Sequence, residues 1–160
     1  MQKNSGFSLI EVMMVVAIMA IMAAIALPNM IGSRRDAKLR GAVANLKGDL
    51  NRAKMMAVRE NALVVVNFFS DRYEVFVDNG AGANAGDWTH NSDERRLANR
   101  WLPTGVTIDL ADPDFFASNR TRFNRRGLPD FTGTVAVEAL DGNKRRIQLN
   151  RLGRININIP

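Results

Sequence analysis

Residues 7–27 form a run broken only by Ser8 and Glu11, and from Val12 onward sixteen residues in succession are apolar. A helix rises about 1.5 Å per residue, so this stretch spans about 30 Å, the thickness of a bilayer's hydrocarbon. A secretory signal would carry a shorter apolar region ending at a small-residue cleavage site. Here the short positive leader, residues 1–6 with Lys3, lies ahead of the run, which therefore reads as a retained membrane anchor. The bias of Lys and Arg toward the inside keeps the leader in the cytoplasm and exports everything after Pro28. Pro28 lacks an amide proton and either kinks the helix or ends it where the bilayer ends.

Glu11 is the residue that a plain anchor does not explain. An ionisable side chain within a bilayer is costly unless it is paired. Either a cation meets it at the same depth, or it stands close enough to the headgroups to be hydrated. Met13, Met14, Met19 and Met22 raise no such question, because flexible thioethers are apolar filler on a helix that packs first against lipid and then against other helices.

Gly6-Phe7-Ser8-Leu9-Ile10-Glu11-Val12 closely resembles the prepilin cleavage motif of type IV pilins and type II secretion pseudopilins. The resemblance implies that a prepilin peptidase cuts after Gly6 and methylates the new N-terminus at Phe7. It also implies that the Phe7 amine of a neighbouring subunit is the cation for Glu11. Such a pair would set axial register, since a carboxylate left unpaired in an apolar core is heavily penalised. A chain of this kind is expected in the bacterial inner membrane as a single-pass protein with its C-terminal domain in the periplasm, and in a filament or its tip after assembly. The expected partners are other pilin or pseudopilin subunits, the peptidase, the inner-membrane assembly platform and membrane lipid. Motif, apolar run and Pro28 cover about the first fifth of the chain.

The division expected is a cleaved leader at 1–6, a transmembrane and assembly helix at 7–28, and an exported domain at 29–160, about one domain's worth of chain. Leu39, Val43, Leu46, Leu50, Ala53 and Ala57 follow a 4-3-4-3-4 spacing, while Arg34, Arg35, Lys38, Arg40, Lys47, Asp49, Arg52 and Arg59 fill the other faces. This pattern predicts an amphipathic helix over about 29–60 that buries one stripe against a sheet of its own domain. After Asn61 the period becomes strand-like. Residues 62–69 and 72–77 read as a hairpin around Ser70-Asp71, and further strands are expected at 95–102, 105–110, 121–124, 134–140, 144–150 and 154–159, with Asp141-Gly142 as a turn. The expected class is α+β, a long N-terminal helix packed on a C-terminal antiparallel β domain. Phe123-Asn124-Arg125-Arg126-Gly127 ahead of a strand at Gly133, and a terminal Leu152-Gly153-Arg154-Ile155, are similar to the GspH/FimT group of minor pilins and pseudopilins. That similarity implies two packed sheets and a low-abundance subunit near the filament tip that helps to start assembly.

Enzymatic chemistry finds no constellation here. Cysteine is absent, so there is neither a disulfide nor a thiolate metal site. The single histidine, His90, falls in the Gly/Asn/Asp-rich stretch 78–94, and no serine has a nucleophile-elbow setting. Asp112 with Asp114, and Asp93 with Glu94, lie in expected turns as solvated carboxylates. Asp78, Asn79, Asn84 and Asp87 carry calcium-type oxygens without EF-hand spacing, and the stretch reads as a plain solvated loop. No cofactor or metal is expected.

The formal charge of +6 lies in the last quarter: residues 120–160 hold 9 basic and 3 acidic residues, against 12 and 12 over 30–119. Arg120, Arg122, Arg125, Arg126, Lys144, Arg145, Arg146, Arg151 and Arg154 read either as a phosphate-tracking surface or as a soluble face complementary to acidic neighbouring subunits. The FimT resemblance brings the first of these into play, because some members take part in DNA uptake and carry a terminal Gly-Arg-x-Arg. On that basis Arg145, Arg146, Arg151 and Arg154 are the candidate nucleic-acid contacts. This chain has Gly153-Arg154-Ile155-Asn156, without the second arginine, and only Phe123 and Phe131 interleave with the charges for base stacking. Two functions follow: a minor pilin or pseudopilin that primes a type II secretion pseudopilus or type IV pilus, or a filament-borne DNA-binding subunit.

Overall fold

The structure is a computed structural model that describes residues 7–80 and 86–158. The leader with Gly6, Asn84 of the central loop and Ile159 of the last expected strand lie outside the described residues. Helix α1 (Leu9–Arg59) precedes β1 (Leu63–Phe68), β2 (Arg72–Asp78), β3 (Arg96–Trp101), β4 (Val106–Asp109), β5 (Arg120–Phe123), β6 (Gly133–Ala139), β7 (Lys144–Leu149) and β8 (Ile155–Asn158). The strands form two antiparallel four-stranded sheets, ordered β3-β2-β1-β5 and β4-β6-β7-β8. All eight expected strands are present, their described ends within one residue of those expected, and the α+β class with two sheets is the one observed.

Two compact units divide the chain, one ending at Arg35 and one beginning at Asp36. In the first, Ser8 starts the helix: its hydroxyl accepts the Glu11 amide at 3.3 Å and its carbonyl accepts the Val12 amide at 3.3 Å. Ser8-x-x-Glu11 has capping-box spacing, and an acid in the first turn suits the positive end of the helix dipole. The apolar side chains from Phe7 to Ile25 stay exposed, and the helix is long and apolar enough to cross a membrane. Helical structure continues through Pro28, so the reading in which Pro28 ends the helix is not realised.

The second unit is built as the periodicity predicts. Leu39, Val43, Leu46, Leu50, Ala53 and Ala57 are all buried, joined by Ala42. Each fully buried leucine contributes about 1.5–3 kcal/mol of apolar transfer, so this stripe is what binds α1 to the sheets. Val64, Val66 and Phe68 of β1, Tyr73, Val75 and Val77 of β2, and Phe123 of β5 supply the first sheet's share of the core; Val135, Val137, Ile147 and Leu149 lead the second sheet's. Phe116 reaches in from the β4–β5 connection and stacks on Phe68 at 5.3 Å.

β1 is buried on both faces, because Val65, opposite Phe76 and Arg122, is fully covered although it points away from that core. The cover is the segment after Gly86: Arg122 lies 4.0 Å from the Trp88 ring, and His90 meets Phe76 edge-on at 5.3 Å. A central strand covered twice has to be apolar throughout its middle, which accounts for the run Leu63-Val64-Val65-Val66.

Candidate functional site

Glu11 is the first candidate. It lines a groove of about 380 Å³ whose other walls are Phe7, Val12, Val15 and Val16. Its amide is capped by Ser8, but its carboxylate has no partner among the described residues. The next basic residue along the chain is Arg34, 23 positions on, a separation of about 35 Å along a helix. No basic side chain on its own helix, among the described residues, can reach it. Phe7, the expected site of N-methylation, lies on the same groove and is 84% exposed.

The basic C-terminal surface divides into two parts. Lys144 sits 2.9 Å from Asp109 and 3.2 Å from Glu138. Arg145 donates to Asp36 at 3.3 Å. Arg146 donates from Nε and Nη2 to Asp112 at 3.2 and 3.0 Å, and Arg122 pairs with Asp130 at 2.8 Å. Of the four arginines expected to contact nucleic acid, two are thus occupied by carboxylates, and Arg151 and Arg154 are exposed without an acidic partner among the described residues. The register explains the division, since β7 carries 144–146 beside Glu138 on β6 and within reach of Asp36 on α1. Asp112 is not a solvated turn residue as expected. It is buried at 6% exposure and balanced by Arg146.

Residues 78–94 also depart from the expected solvated loop. Asp78, 2% exposed, accepts the amides of Gly86 at 2.7 Å and Trp88 at 3.2 Å. Glu94, likewise buried, accepts those of Gly80 at 3.0 Å and Asn91 at 2.9 Å. Two buried carboxylates hold this segment over β1 by satisfying its backbone, and a bound calcium would have to compete with those amides. Among the described residues no group of three His, Asp or Glu side chains converges on a metal-sized site.

Two further features escaped the sequence reading. Asp49, which the helical spacing puts on a polar face, is buried and accepts the Tyr73 hydroxyl at 2.7 Å and the Arg100 Nε proton at 2.9 Å. Burial first, and the bond to Asp49 second, push the Tyr73 hydroxyl far above its ordinary value, so it remains a proton donor at any physiological pH. The signal was available, because Asp49 stands three positions after Leu46 and one before Leu50, within the apolar stripe. The other feature is a repeated tetrad, Asn124-Arg125-Arg126-Gly127 and Asn150-Arg151-Leu152-Gly153. Both form the same turn. Gly127 and Gly153 donate to the carbonyls of Asn124 and Asn150 at 2.8 and 2.9 Å. The Asn124 side chain accepts the amides of Arg126 and Leu128, and Asn150 those of Leu152 and Arg154, all within 3.2 Å. Their glycines have φ of +72° and +70°, a left-handed conformation that favours glycine in such hairpin loops.

The sequence and the fold both have relatives. Residues 1–27 match the prokaryotic N-terminal methylation motif, and residues 42–153 match the family described as type II transport protein GspH. The chain is 53% identical to the type IV major pilin protein PilA of Myxococcus xanthus over 45 residues, 28% of this chain and 20% of that protein. It is 32% identical to type II secretion system core protein G of Aeromonas hydrophila over 72 residues, 45% of this chain and 43% of that one. It therefore spans less than half the length of each of these curated relatives. In three dimensions it is similar to the minor pseudopilin EpsH of the type 2 secretion system of Vibrio cholerae, with a TM-score of 0.56 at 13% identity over 77% of this chain and 98% of that one.

Proposed function

Because the chain belongs to the GspH family of structural pilin and pseudopilin subunits, which are not enzymes, we propose that it is a minor subunit that primes assembly of a type II secretion pseudopilus or type IV pilus. The observation that carries this reading is Glu11, an unpartnered carboxylate in an otherwise apolar groove beside Phe7. In the proposed sequence, the prepilin peptidase cuts after Gly6 and methylates the Phe7 amine. The chain waits as a single-pass inner-membrane protein with its C-terminal domain in the periplasm, and the assembly platform draws it out of the lipid. Moving an apolar helix from lipid to a bundle of apolar helices gains little hydrophobic free energy, because lipid tails are as apolar as the helix surface. The pairing of Glu11 with the Phe7 amine of the next subunit then decides register, since a slip of one turn leaves two charges unpaired in a low-dielectric core.

Support for the nucleic-acid reading is thinner, because Arg145 and Arg146 are already engaged by Asp36 and Asp112.

The test is deletion of the gene and complementation with wild type or Glu11→Ala, with surface pili counted and secreted proteins profiled. Wild type should restore the filament function. The Glu11→Ala chain should be made and folded but missing from sheared filaments, and its incorporation at the wild-type level would overturn the reading. Loss of pili on deletion assigns a type IV pilus; loss of secretion with pili intact assigns the pseudopilus.

A further inference from the structure

The twin turns are built against one another. A Cβ on Gly153 would lie 2.8 Å from the carbonyl oxygen of Gly127, and the aliphatic chain of Lys54 runs past both glycines. Lys54 ends its reach by donating to the Gly153 carbonyl at 3.0 Å. The result is a rigid mount. Asn124 and Asn150 lock the two loops, and Lys54 of α1 joins them, so the side chains that the turns display have little backbone entropy left to lose on binding.

What the mount displays is cationic. Arg125, Arg126, Arg151 and Arg154 are exposed, and none has an acidic partner among the described residues, whereas Arg122, Lys144, Arg145 and Arg146 of the same quarter of the chain all have one. Apolar side chains accompany these charges. Leu152, at the tip of the second turn, is 72% exposed, and Val58, whose methyl would meet a Cβ on Gly127 at 3.0 Å, is 53% exposed. Met55, three positions before Val58 on α1, is 63% exposed.

Taking the chain as a filament subunit, we propose that this face is a docking site for an acidic segment, carrying at least one apolar anchor, on a different subunit of the filament. Arginine and methionine are both enriched in protein interfaces, and Leu152 and Val58 add exposed apolar area beside them. A polyphosphate strand would have no use for Leu152 and Met55, and the exposed large apolar residues of this face include no aromatic ring on which a base could stack. A symmetric contact with a second copy of the chain is disfavoured by charge, because it would set four unpaired arginines against four more.

The experiment uses the full-length chain in cells that hold the other filament subunits, with a photo-crosslinking amino acid in place of Leu152. A matching probe in place of Leu140, 80% exposed in the β6–β7 turn, serves as the control. The expected adduct joins position 152 to another subunit at a peptide rich in Asp and Glu. Arg151→Glu with Arg154→Glu should lower its yield about tenfold, and exchanging the partner's acids for lysine should restore it. Arg151→Gln with Arg154→Gln, read in the same way, keeps the test valid if charge reversal disturbs folding. Adducts that are nuclease-sensitive, that contain lipid or a second copy of the chain, or that are indifferent to the arginine changes would each overturn the proposal. In those cases wild-type chain in the sheared filament fraction still upholds the subunit reading, whereas its absence there defeats that reading first.

Discussion

At the scale of single residues, electrostatics decides more than exposure does. Asp49 is buried on α1 and holds Tyr73 of β2 and Arg100 of β3, 24 and 51 positions away. Asp49→Ala strands a buried hydroxyl and removes the counter-charge of Arg100, and it should cost about 3 kcal/mol, read as a lower midpoint of thermal unfolding. Asp49→Asn keeps an acceptor and should cost less. The half-buried pair of Asp109 and Lys144 acts through pH instead. Lys144 holds the Asp109 carboxyl below its ordinary value, and Asp109, helped by Glu138, holds the Lys144 ammonium above its own. A depressed carboxylate stabilises the fold above its unfolded pKa and loses that contribution as pH falls through the folded one. A raised ammonium does the reverse, stabilising below its unfolded pKa and losing the contribution as pH rises through the folded one. The pair should therefore support the fold between about pH 4 and pH 10. Asp109→Asn should remove its share of the acid limb in a stability-versus-pH series while leaving stability below that limb unchanged.

Among the elements, the turns are the least interchangeable. Gly153 has φ +70° and no room for a Cβ; Gly142, in the β6–β7 turn, has φ +81° but open space around it. Gly142→Ala should cost about 1 kcal/mol, the strain of a left-handed alanine. Gly153→Ala adds a clash with the Gly127 carbonyl and should cost more than twice as much, with a larger drop in thermal midpoint for the full-length chain in detergent. The 86–94 segment shows the same dependence on buried partners. Its composition reads as a loop, and a loop it is, but Asp78 and Glu94 fasten it over Val65 and Phe76.

For the whole molecule the question is where the folding unit begins. The second compact unit starts at Asp36 and contains the entire buried stripe of α1. A chain begun at Asp36 should fold in water as a monomer with cooperative unfolding, measured by circular dichroism. One begun at Leu46 discards Leu39, Ala42 and Val43, all at most 3% exposed. A buried leucine truncated to alanine costs about 2–5 kcal/mol, so losing three core side chains consumes most of a stability of about 5–15 kcal/mol, and that chain should not fold.

The long apolar helix, the helical stripe and the eight strands could all be read along the chain, because each rests on a local period: apolar residues in succession, at every third or fourth position, or in alternation. The strand ends were right to a residue for the same reason, since turn residues such as Asp141-Gly142 sit beside the periods they interrupt. Which charges are free was another matter. Arg145 answers to Asp36 at a separation of 109 positions, Arg146 to Asp112 at 34, and Lys54 to the Gly153 carbonyl at 99. Sequence spacing carries no trace of such pairings. The apparent basic stripe of nine residues therefore resolved, on folding, into a neutralised part, Arg122 of β5 with Lys144, Arg145 and Arg146 of β7, an open part on the two turns, and Arg120, which lies over the Trp88 ring, because a charge is cancelled by what lies within a few ångströms of it, and folding decides what that is.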